Sequence, residues 1–463
     1  MSALDQYTAL YAGARADFDT HSAGALNAMR PAAFDALRGV SLPTRHTEGY
    51  ERTSLEDMYS PDFGLNPLRV AMPVPDLAST FRCSVPHMST LLGITVNDAF
   101  YPVGSLEERL PAGVTFMSLS RAAREMPEII NRHYGTLAPL TNPAVALNTL
   151  LAQDGVLIHV DRGVRPGKPL QLVNLLSSPV RIMAPRRVLI IVEDDAELQL
   201  LVCDHTADTK QSYLSSQVTE IALGRNARLD ICDIEESSAL TSRHASLYAS
   251  QSEGSYLNHT TVTLACGNTR NDINIDLNGS HCTTRLSGMA VATASMHIDN
   301  NTSVKHLSPH GKSDQLFKYV LDDDASGAFE GSILVTGDAP FTEAYQSNRN
   351  ILASQGARMH SKPVLEIYND EVKCSHGATT GQLDSRAIFY MQTRGIPLHE
   401  ARTLLMQAFM ADVIDRVAIE GLRERLRHLT ERRFAAHTEC AGDLGACGDC
   451  QAPTHISDSD ETL

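Results

Sequence analysis

The sequence predicts a mainly β protein: a parallel β-helix core, flanked by an N-terminal mixed, partly helical region and a C-terminal helical domain. Over residues 148–367, short β-rich runs alternate with clusters of Gly, Asn, Asp and Ser, and no 3.6-residue periodicity persists for the length of a helix. A turn cluster followed by a leucine also recurs there, at intervals of 31, 28 and 29 residues, at Leu198, Leu229, Leu257 and Leu286. Strands that return at such an interval favour stacked coils, because hairpin sandwiches turn every ~8–12 residues. On spacing alone, an ordinary sandwich with a coincidental interval stays the alternative.

Residues 1–147 form the predicted N-terminal region, in which helical patterns mix with turns. Residues 25–37 have a helical pattern that we expect to break at Pro31. Residues 118–130 have a helical composition that is interrupted at Pro127.

The β-helix core is predicted over residues 148–375, and a helical domain follows over 376–435. In the helical domain, Asp384 is suited to cap a first helix and Gly395 to end it. A second helix is expected from Pro397, with an apolar column that steps by four residues through Leu405, Phe409, Val413 and Val417.

Residues 436–463 are acidic and poorly periodic, which predicts a disordered tail. This tail contains Cys440, Cys447 and Cys450, and the last two have the spacing of a metal knuckle. Because no second Cys-x-x-Cys pair accompanies them, a tail that merely contains cysteines is the alternative to a metal site.

Composition argues against several classes of function. The chain has 463 residues and a formal net charge of −16, so it should repel the phosphate backbones of nucleic acids. Trp is absent and aromatic residues make up only 5%, which disfavours a carbohydrate-binding cleft. No apolar run is long enough to span a bilayer, no secretory leader is recognisable, and the nine Cys are scattered, so we expect a cytoplasmic protein with free thiols. The motifs of nucleotide-binding loops, zinc proteases and serine hydrolases are absent from the sequence.

The most suggestive residues for chemistry are Cys374 and His376, where the β region meets the helical domain. Residues two apart in an extended strand point to the same side, so a thiolate and an imidazole there could together bind a soft metal such as iron or zinc. On spacing alone, a small buried thiol beside a structural histidine is the simpler interpretation.

The segment around this pair, residues 361–384, carries in order Pro-x-Leu-Glu-Ile-Tyr, Val-Lys-Cys-Ser-His-Gly-Ala-Thr and Gly-Gln-Leu-Asp. It resembles the C-terminal signature of the SufB/SufD family of iron–sulfur cluster assembly proteins. Residues 154–174, 329–333 and 342–348 resemble further segments of that family. Residues 43–53 resemble its N-terminal motif, with Tyr where the family often has Trp. The resemblance covers most of residues 40–430 and implies a parallel β-helix.

Within the family, the chain resembles the SufD branch. Gly377 follows Cys-Ser-His where SufB-like chains tend to carry Glu, and Cys83 is the only cysteine before Cys203, so there is no N-terminal Cys-x-x-Cys. A SufB-like paralogue is the alternative within the family. A β-helix polysaccharide lyase or hydrolase is the alternative outside it, although the nearest acidic cluster, residues 322–324, has the composition of a turn.

The resemblance implies a non-catalytic subunit that pairs with a SufB-like paralogue as a heterodimer, and as a homodimer when expressed alone. It implies that the SufC ATPase docks on the C-terminal helices, which here span about residues 384–434. The Arg-rich end of this segment is either part of the docking surface or a solvated helix face. It places His376 near the SufB interface as a ligand for transient iron or a nascent iron–sulfur cluster. Cys374 is the candidate second ligand, and a small buried thiol is the alternative for it. An interface hydrogen bond is the alternative role for His376. The sequence does not indicate whether a flavin binds.

Overall fold

The computed structural model describes residues 2–70, 89–207 and 210–440. The strands of the described residues are β1 Leu91–Val96, β2 Ala99–Pro102, β3 Val114–Ser118, β4 Val156–Val160, β5 Leu170–Leu176, β6 Ile182–Val192, β7 Glu197–Thr206, β8 Tyr213–Leu223, β9 Arg228–Glu236, β10 Thr241–Gln251, β11 Tyr256–Ala265, β12 Asn268–Leu277, β13 Thr283–Ala292, β14 His297–His306, β15 Lys312–Leu321, β16 Ser326–Val335, β17 Glu343–Leu352, β18 Arg358–Ile367 and β19 Lys373–Gly381. The helices are α1 Ala3–Thr20, α2 Gly24–Ala36, α3 Leu55–Tyr59, α4 Leu106–Arg109, α5 Leu119–Glu125, α6 Pro127–His133, α7 Pro143–Leu151, α8 Ser385–Thr393, α9 Leu398–Ile414 and α10 Glu420–Cys440.

From β4 onward, successive strands alternate between two sheets, so that each coil of the chain contributes one strand to each sheet. Strands that neighbour each other within a sheet are one coil apart and parallel, whereas β1 with β2 and β3 with β4 pair antiparallel at the N-terminal end. The result is a parallel β-solenoid of about 8 turns, which confirms the predicted β-helix. The first sheet strand begins at Leu91, inside the region predicted to precede the core.

The strand register accounts for most of the leucine repeat. Leu198 lies beside Leu229 in the next coil, and Leu229 lies beside Leu257. The fourth predicted member is displaced, since Leu257 lies beside Thr284 while Leu286 lies beside His259. A shift of two residues keeps Leu286 on the interior face of its strand, where it is fully buried.

One turn of each coil is closed by a residue in the left-handed region: Asn226 at φ 55°, Gly254 at φ 69°, His281 at φ 59° and His310 at φ 60°. Their backbone N–H groups donate to carbonyls of the following coil, as from Gly254 to Ser280 at 2.9 Å. Gly and Asn adopt this conformation at little cost, whereas His does so less readily. Because residue type is not constant at the turn, no short motif marks it in the sequence.

The N-terminal helices cover the outer face of the nine-stranded sheet. Tyr7 of α1 and Leu147 of α7 share an apolar cluster with Met183 and Leu214, which project outward from β6 and β8. Helix α2 continues through Pro31, contrary to the predicted break. The prediction at Pro127 is confirmed, because this residue starts α6 directly after α5.

The C-terminal helices α9 and α10 cover the outer face of the ten-stranded sheet, where Met410 and Leu422 pack with Leu201 and Val262. The predicted cap is confirmed, since the Asp384 side chain accepts a hydrogen bond from the Arg386 N–H at 2.8 Å. Gly395, at φ 88°, ends the first helix as expected.

The buried face of α9 is offset from the predicted column. Val413 and Val417 are buried as expected, and Phe409 is half-buried against the same cluster. The fully buried residues of the preceding turns are Met406 and Met410, and Leu405 is not among them. The two columns are neighbours on one helix, and packing against the sheet selects between them. Among the helices of the described residues, none combines the length and the apolar character that crossing a membrane requires.

Candidate functional site

Among the described residues, no element caps the C-terminal end of the solenoid. Within the described part of the chain, β19 pairs only with β17 and β18 only with β16, so each is the last strand of its sheet. Each therefore presents one row of backbone N–H and C=O groups without a neighbouring strand. Such an edge is a template for pairing with another chain. Most residues of β19 are exposed.

Cys374 and His376 both lie on β19 and both project toward the interior of the solenoid. The register places Cys374 beside Ala344 and His376 beside Gln346, and these two residues of β17 are 0% and 3% exposed. Since alternate residues of a strand share a face, the predicted pair is brought to one side, as expected. At the open end, the interior face becomes accessible from outside.

The two side chains have different surroundings. Cys374 is half-buried against an apolar cluster that includes Ile333 and Ala344, and this burial raises the pKa of its thiol. His376 is exposed, and among the described residues its ring makes no hydrogen bond or ion pair. The imidazole is therefore free to bind an external group, whereas the thiol is held in its neutral form.

Polar side chains line the interior next to the open end, and sequence reasoning did not identify them. Gln346 is buried directly beneath His376, and neither its amide oxygen nor its amide nitrogen has a hydrogen-bond partner among the described residues. Asn348 accepts hydrogen bonds from Asn350 at 2.7 Å and from Ser361 at 2.8 Å. The sequence does contain one indication of this polar lining: residues 346, 348 and 350, which alternate along one strand and share its interior face, all carry amide side chains.

No resident metal centre can be assembled from the described residues alone, because among them no group of three or more His, Cys, Asp and Glu is arranged to hold a metal ion. Cys266, Cys282 and Cys374 are free thiols, and burial raises the pKa of each. Cys440 is the last residue of α10, and Cys83, Cys447 and Cys450 lie outside the described residues. A site that uses His376 requires further ligands from elsewhere.

A second exposed feature lies on the C-terminal helices. Helix α8 has no buried residue, and its side chains Phe389 and Tyr390 are 68% and 60% exposed. Leu398 and Leu404 of α9 add exposed apolar surface. Large apolar groups exposed together on one element mark an interaction surface.

Several arginines of the Arg-rich stretch of α10 form contacts within the chain. The Arg423 side chain donates to the Val417 carbonyl at 2.6 Å, and Arg427 pairs with Asp415 at 2.6 Å. Burial lowers the pKa of Arg433. The predicted basic docking patch is thus reduced, and α8 presents the more accessible surface.

The acidic residues 322–324 lie in the turn between β15 and β16, as their composition predicted. The Asp323 carboxylate accepts a hydrogen bond from the Ala294 N–H at 2.8 Å, so it closes a turn of the preceding coil. This contact gives the acidic run a structural role.

Comparison with protein families gives two matches that together span most of the chain. A model described as SUF system FeS cluster assembly, SufBD core domain, matches residues 176–409. A model described as SufBD protein N-terminal region matches residues 1–172.

Individual relatives agree with these matches. An iron–sulfur cluster assembly SufBD family protein of Synechocystis is 28% identical over 415 residues, which cover 87% of this chain and 90% of the relative. The iron–sulfur cluster assembly protein SufD of Escherichia coli is 30% identical over 284 residues, covering 60% of this chain and 67% of that protein. The protein of the same name from Bacillus subtilis is 24% identical over 330 residues, covering 71% and 75%.

Proposed function

The chain belongs to the SufBD family of iron–sulfur cluster assembly proteins, and on this premise we propose that it is the SufD-like, non-catalytic subunit of an assembly scaffold. Gly377 after Cys-Ser-His and the relatives named SufD support this branch over a SufB-like one. In this role the chain positions partners and cargo and carries out no bond-making step of its own.

The open end of the solenoid is the observation that carries the proposal. A SufB-like paralogue pairs there by adding its own strands to β18 and β19, whose edges are unpaired in the described chain. The same edges support a homodimer when the chain is expressed alone. Pro363 removes one N–H donor from β18, which limits the register in which a partner strand fits.

The cargo is a transient iron ion or a nascent cluster held at this interface. His376 supplies a ligand from this chain, and the partner supplies the further ligands, thiolates among them, that complete the site. Cys374 is the weaker second ligand, because its apolar surroundings oppose the thiolate form. One imidazole among thiolates suits a cluster that must later leave the scaffold.

The SufC ATPase docks on α8 and on the neighbouring part of α9. Phe389 and Tyr390 provide exposed aromatic anchors of the type that dominates binding energy at protein interfaces. Helix α10 and the rest of α9 instead hold this domain on the sheet.

Hydrogen–deuterium exchange tests the pairing. The chain is measured alone and in complex with the SufB and SufC homologues of its own genome. We expect new protection of backbone amides in residues 358–367 and 373–381, because they gain strand partners. The strand β2 at the opposite end of the ten-stranded sheet serves as the control and should not change. Protection at β2 with none at β18 and β19 would show that the partner binds the opposite end of the sheet, and it would contradict the proposed pairing.

A further inference from the structure

Gln346 and His376 occupy neighbouring positions on the interior face of the ten-stranded sheet, next to its open end. They are register partners on β17 and β19, which are adjacent and parallel. Adjacent strands lie about 4.8 Å apart, so the side chains at one register position lie side by side. Gln346 is 3% exposed, whereas His376 is exposed. The buried amide and the accessible imidazole are therefore within reach of each other.

The Gln346 side chain is an exception to the hydrogen bonding of buried amides in this chain. Neither its Oε1 nor its Nε2 has a hydrogen-bond partner among the described residues, although both atoms are buried. Every other buried Asn or Gln side chain of the described residues makes at least one hydrogen bond. A buried amide without partners costs stability, so an apolar residue would suit the isolated chain better.

The interior leaves space for this amide at Gly331, on strand β16 of the other sheet. A Cβ on Gly331 would lie only 2.2 Å from Nε2 of Gln346 and 2.8 Å from Cζ of Phe329. Both distances are shorter than the contacts that Cβ atoms make, so any larger residue at 331 would displace the amide. The glycine thus leaves the interior volume that the Gln346 amide fills.

The His376 ring has the complementary requirement. A histidine that binds a metal ion through one ring nitrogen almost always donates a hydrogen bond from the other, which fixes the tautomer and the orientation of the ring. Among the described residues, the His376 ring has no such acceptor in the unloaded chain. The Oε1 of the adjacent Gln346 is a buried acceptor without a donor.

We propose that Gln346 is the positioning residue for His376: when His376 binds iron, Oε1 of Gln346 accepts a hydrogen bond from the ring N–H on the other nitrogen. The inference rests on the proposed ligand role of His376 and adds the residue that orients it. Rotation of the exposed ring brings its N–H to the amide, because Gln346 is already in place. The amide that has no partner in the free chain gains one in the loaded complex.

The test compares three variants of the full chain, each purified alone and with the SufB and SufC homologues of its genome. Gln346→Met keeps the length of the side chain and removes the acceptor, whereas Gln346→Glu keeps an acceptor oxygen in the same position. Gln171→Met is the matched control: Gln171 is equally buried on β5 of the same sheet, and it accepts a hydrogen bond from Thr90 at 2.7 Å. The measured quantities are the Tm of the chain alone and the rate at which the complex releases iron to an excess of chelator.

We expect the Gln346→Met complex to release iron at least about tenfold faster than the wild type, because loss of such a supporting contact typically lowers metal affinity by about 10- to 100-fold. Gln346→Glu and Gln171→Met should release iron at the wild-type rate. In the chain alone, Gln346→Met should keep or raise the Tm, because it removes a buried amide without partners, whereas Gln171→Met should lower it.

Wild-type iron release from Gln346→Met, or equally fast release from Gln346→Glu or Gln171→Met, would overturn the positioning role. A lower Tm of Gln346→Met would show a structural role instead. His376→Ala separates the two proposals. If its complex lacks iron while Gln346→Met behaves as wild type, only the positioning role is wrong; if its complex keeps the iron content of the wild type, the ligand role is wrong and the positioning role with it.

Discussion

The buried carboxyl of Glu235 should make the free energy of unfolding depend on pH, and the structure allows the magnitude of this effect to be worked out. Glu235 lies on β9 inside the solenoid, where it accepts hydrogen bonds from Ser237 at 2.8 Å and from Thr269 at 2.9 Å. Burial raises its pKa to about 7, from an ordinary value of 4.5, and the attraction of Arg243 reduces that shift without cancelling it. As pH rises, the Glu235 carboxyl therefore loses its proton earlier in the unfolded chain than in the folded chain.

Between about pH 4.5 and pH 7, the folded chain binds more protons at Glu235 than the unfolded chain does. The free energy of unfolding must fall as pH rises through this window, and the loss is complete above it. At about 1.4 kcal/mol for each tenfold change in proton affinity, the total is about 3 kcal/mol. Glu235→Gln removes the titration and keeps an oxygen that accepts from Thr269.

Thermal unfolding of wild type and Glu235→Gln at pH 5 and pH 8 measures this effect. We expect the variant to gain several degrees in Tm relative to the wild type on going from pH 5 to pH 8. The exposed Glu108→Gln is the control and should show no such pH-dependent gain. If the curves of wild type and Glu235→Gln stay parallel between the two pH values, the assignment of a neutral Glu235 is wrong.

The remaining predictions concern the C-terminal helices. The double change Phe389→Ala and Tyr390→Ala should weaken SufC binding, measured by interferometry, by about 2 kcal/mol or more, because exposed aromatic anchors dominate the binding energy of such interfaces. The Tm of the chain should stay the same. Wild-type affinity of the double variant would exclude α8 as the docking element. The buried Lys318 ammonium donates a hydrogen bond to the Phe409 carbonyl at 2.7 Å and pairs with Asp412. Lys318→Met should therefore lower the free energy of unfolding by about 1–3 kcal/mol and increase amide exchange in α9. The exposed Lys312→Met is its control, and equal effects of the two changes would contradict an anchoring role for Lys318.

The solenoid was predictable because its coils are similar in length. Strands of nearly equal length and turns of similar size bring Leu198, Leu229 and Leu257 into one interior column, which the sequence displays as a repeat. The displacement at Leu286 was not predictable, because one coil differs in its turn and the left-handed turn residue varies from Gly to His.

The candidate site was predictable only in part. Cys374 and His376 are only two residues apart in a recognisable motif, so they could be identified before the structure. Gln346 is distant from them along the chain, and only the register of β17 with β19 brings it beneath His376. Its burial also breaks the rule that interior positions are apolar, so pattern reasoning does not select it.

The most direct test of the central claim is the iron and acid-labile sulfide content of the complex that carries His376→Ala. The variant is purified with the SufB and SufC homologues, beside wild type and Cys374→Ser. We expect His376→Ala to keep the subunit stoichiometry, because a standard interface spreads over many residues, and to lose most of its iron and sulfide. Cys374→Ser should retain most of both. Wild-type iron and sulfide in the His376→Ala complex would contradict the ligand role and leave this subunit as a purely structural partner.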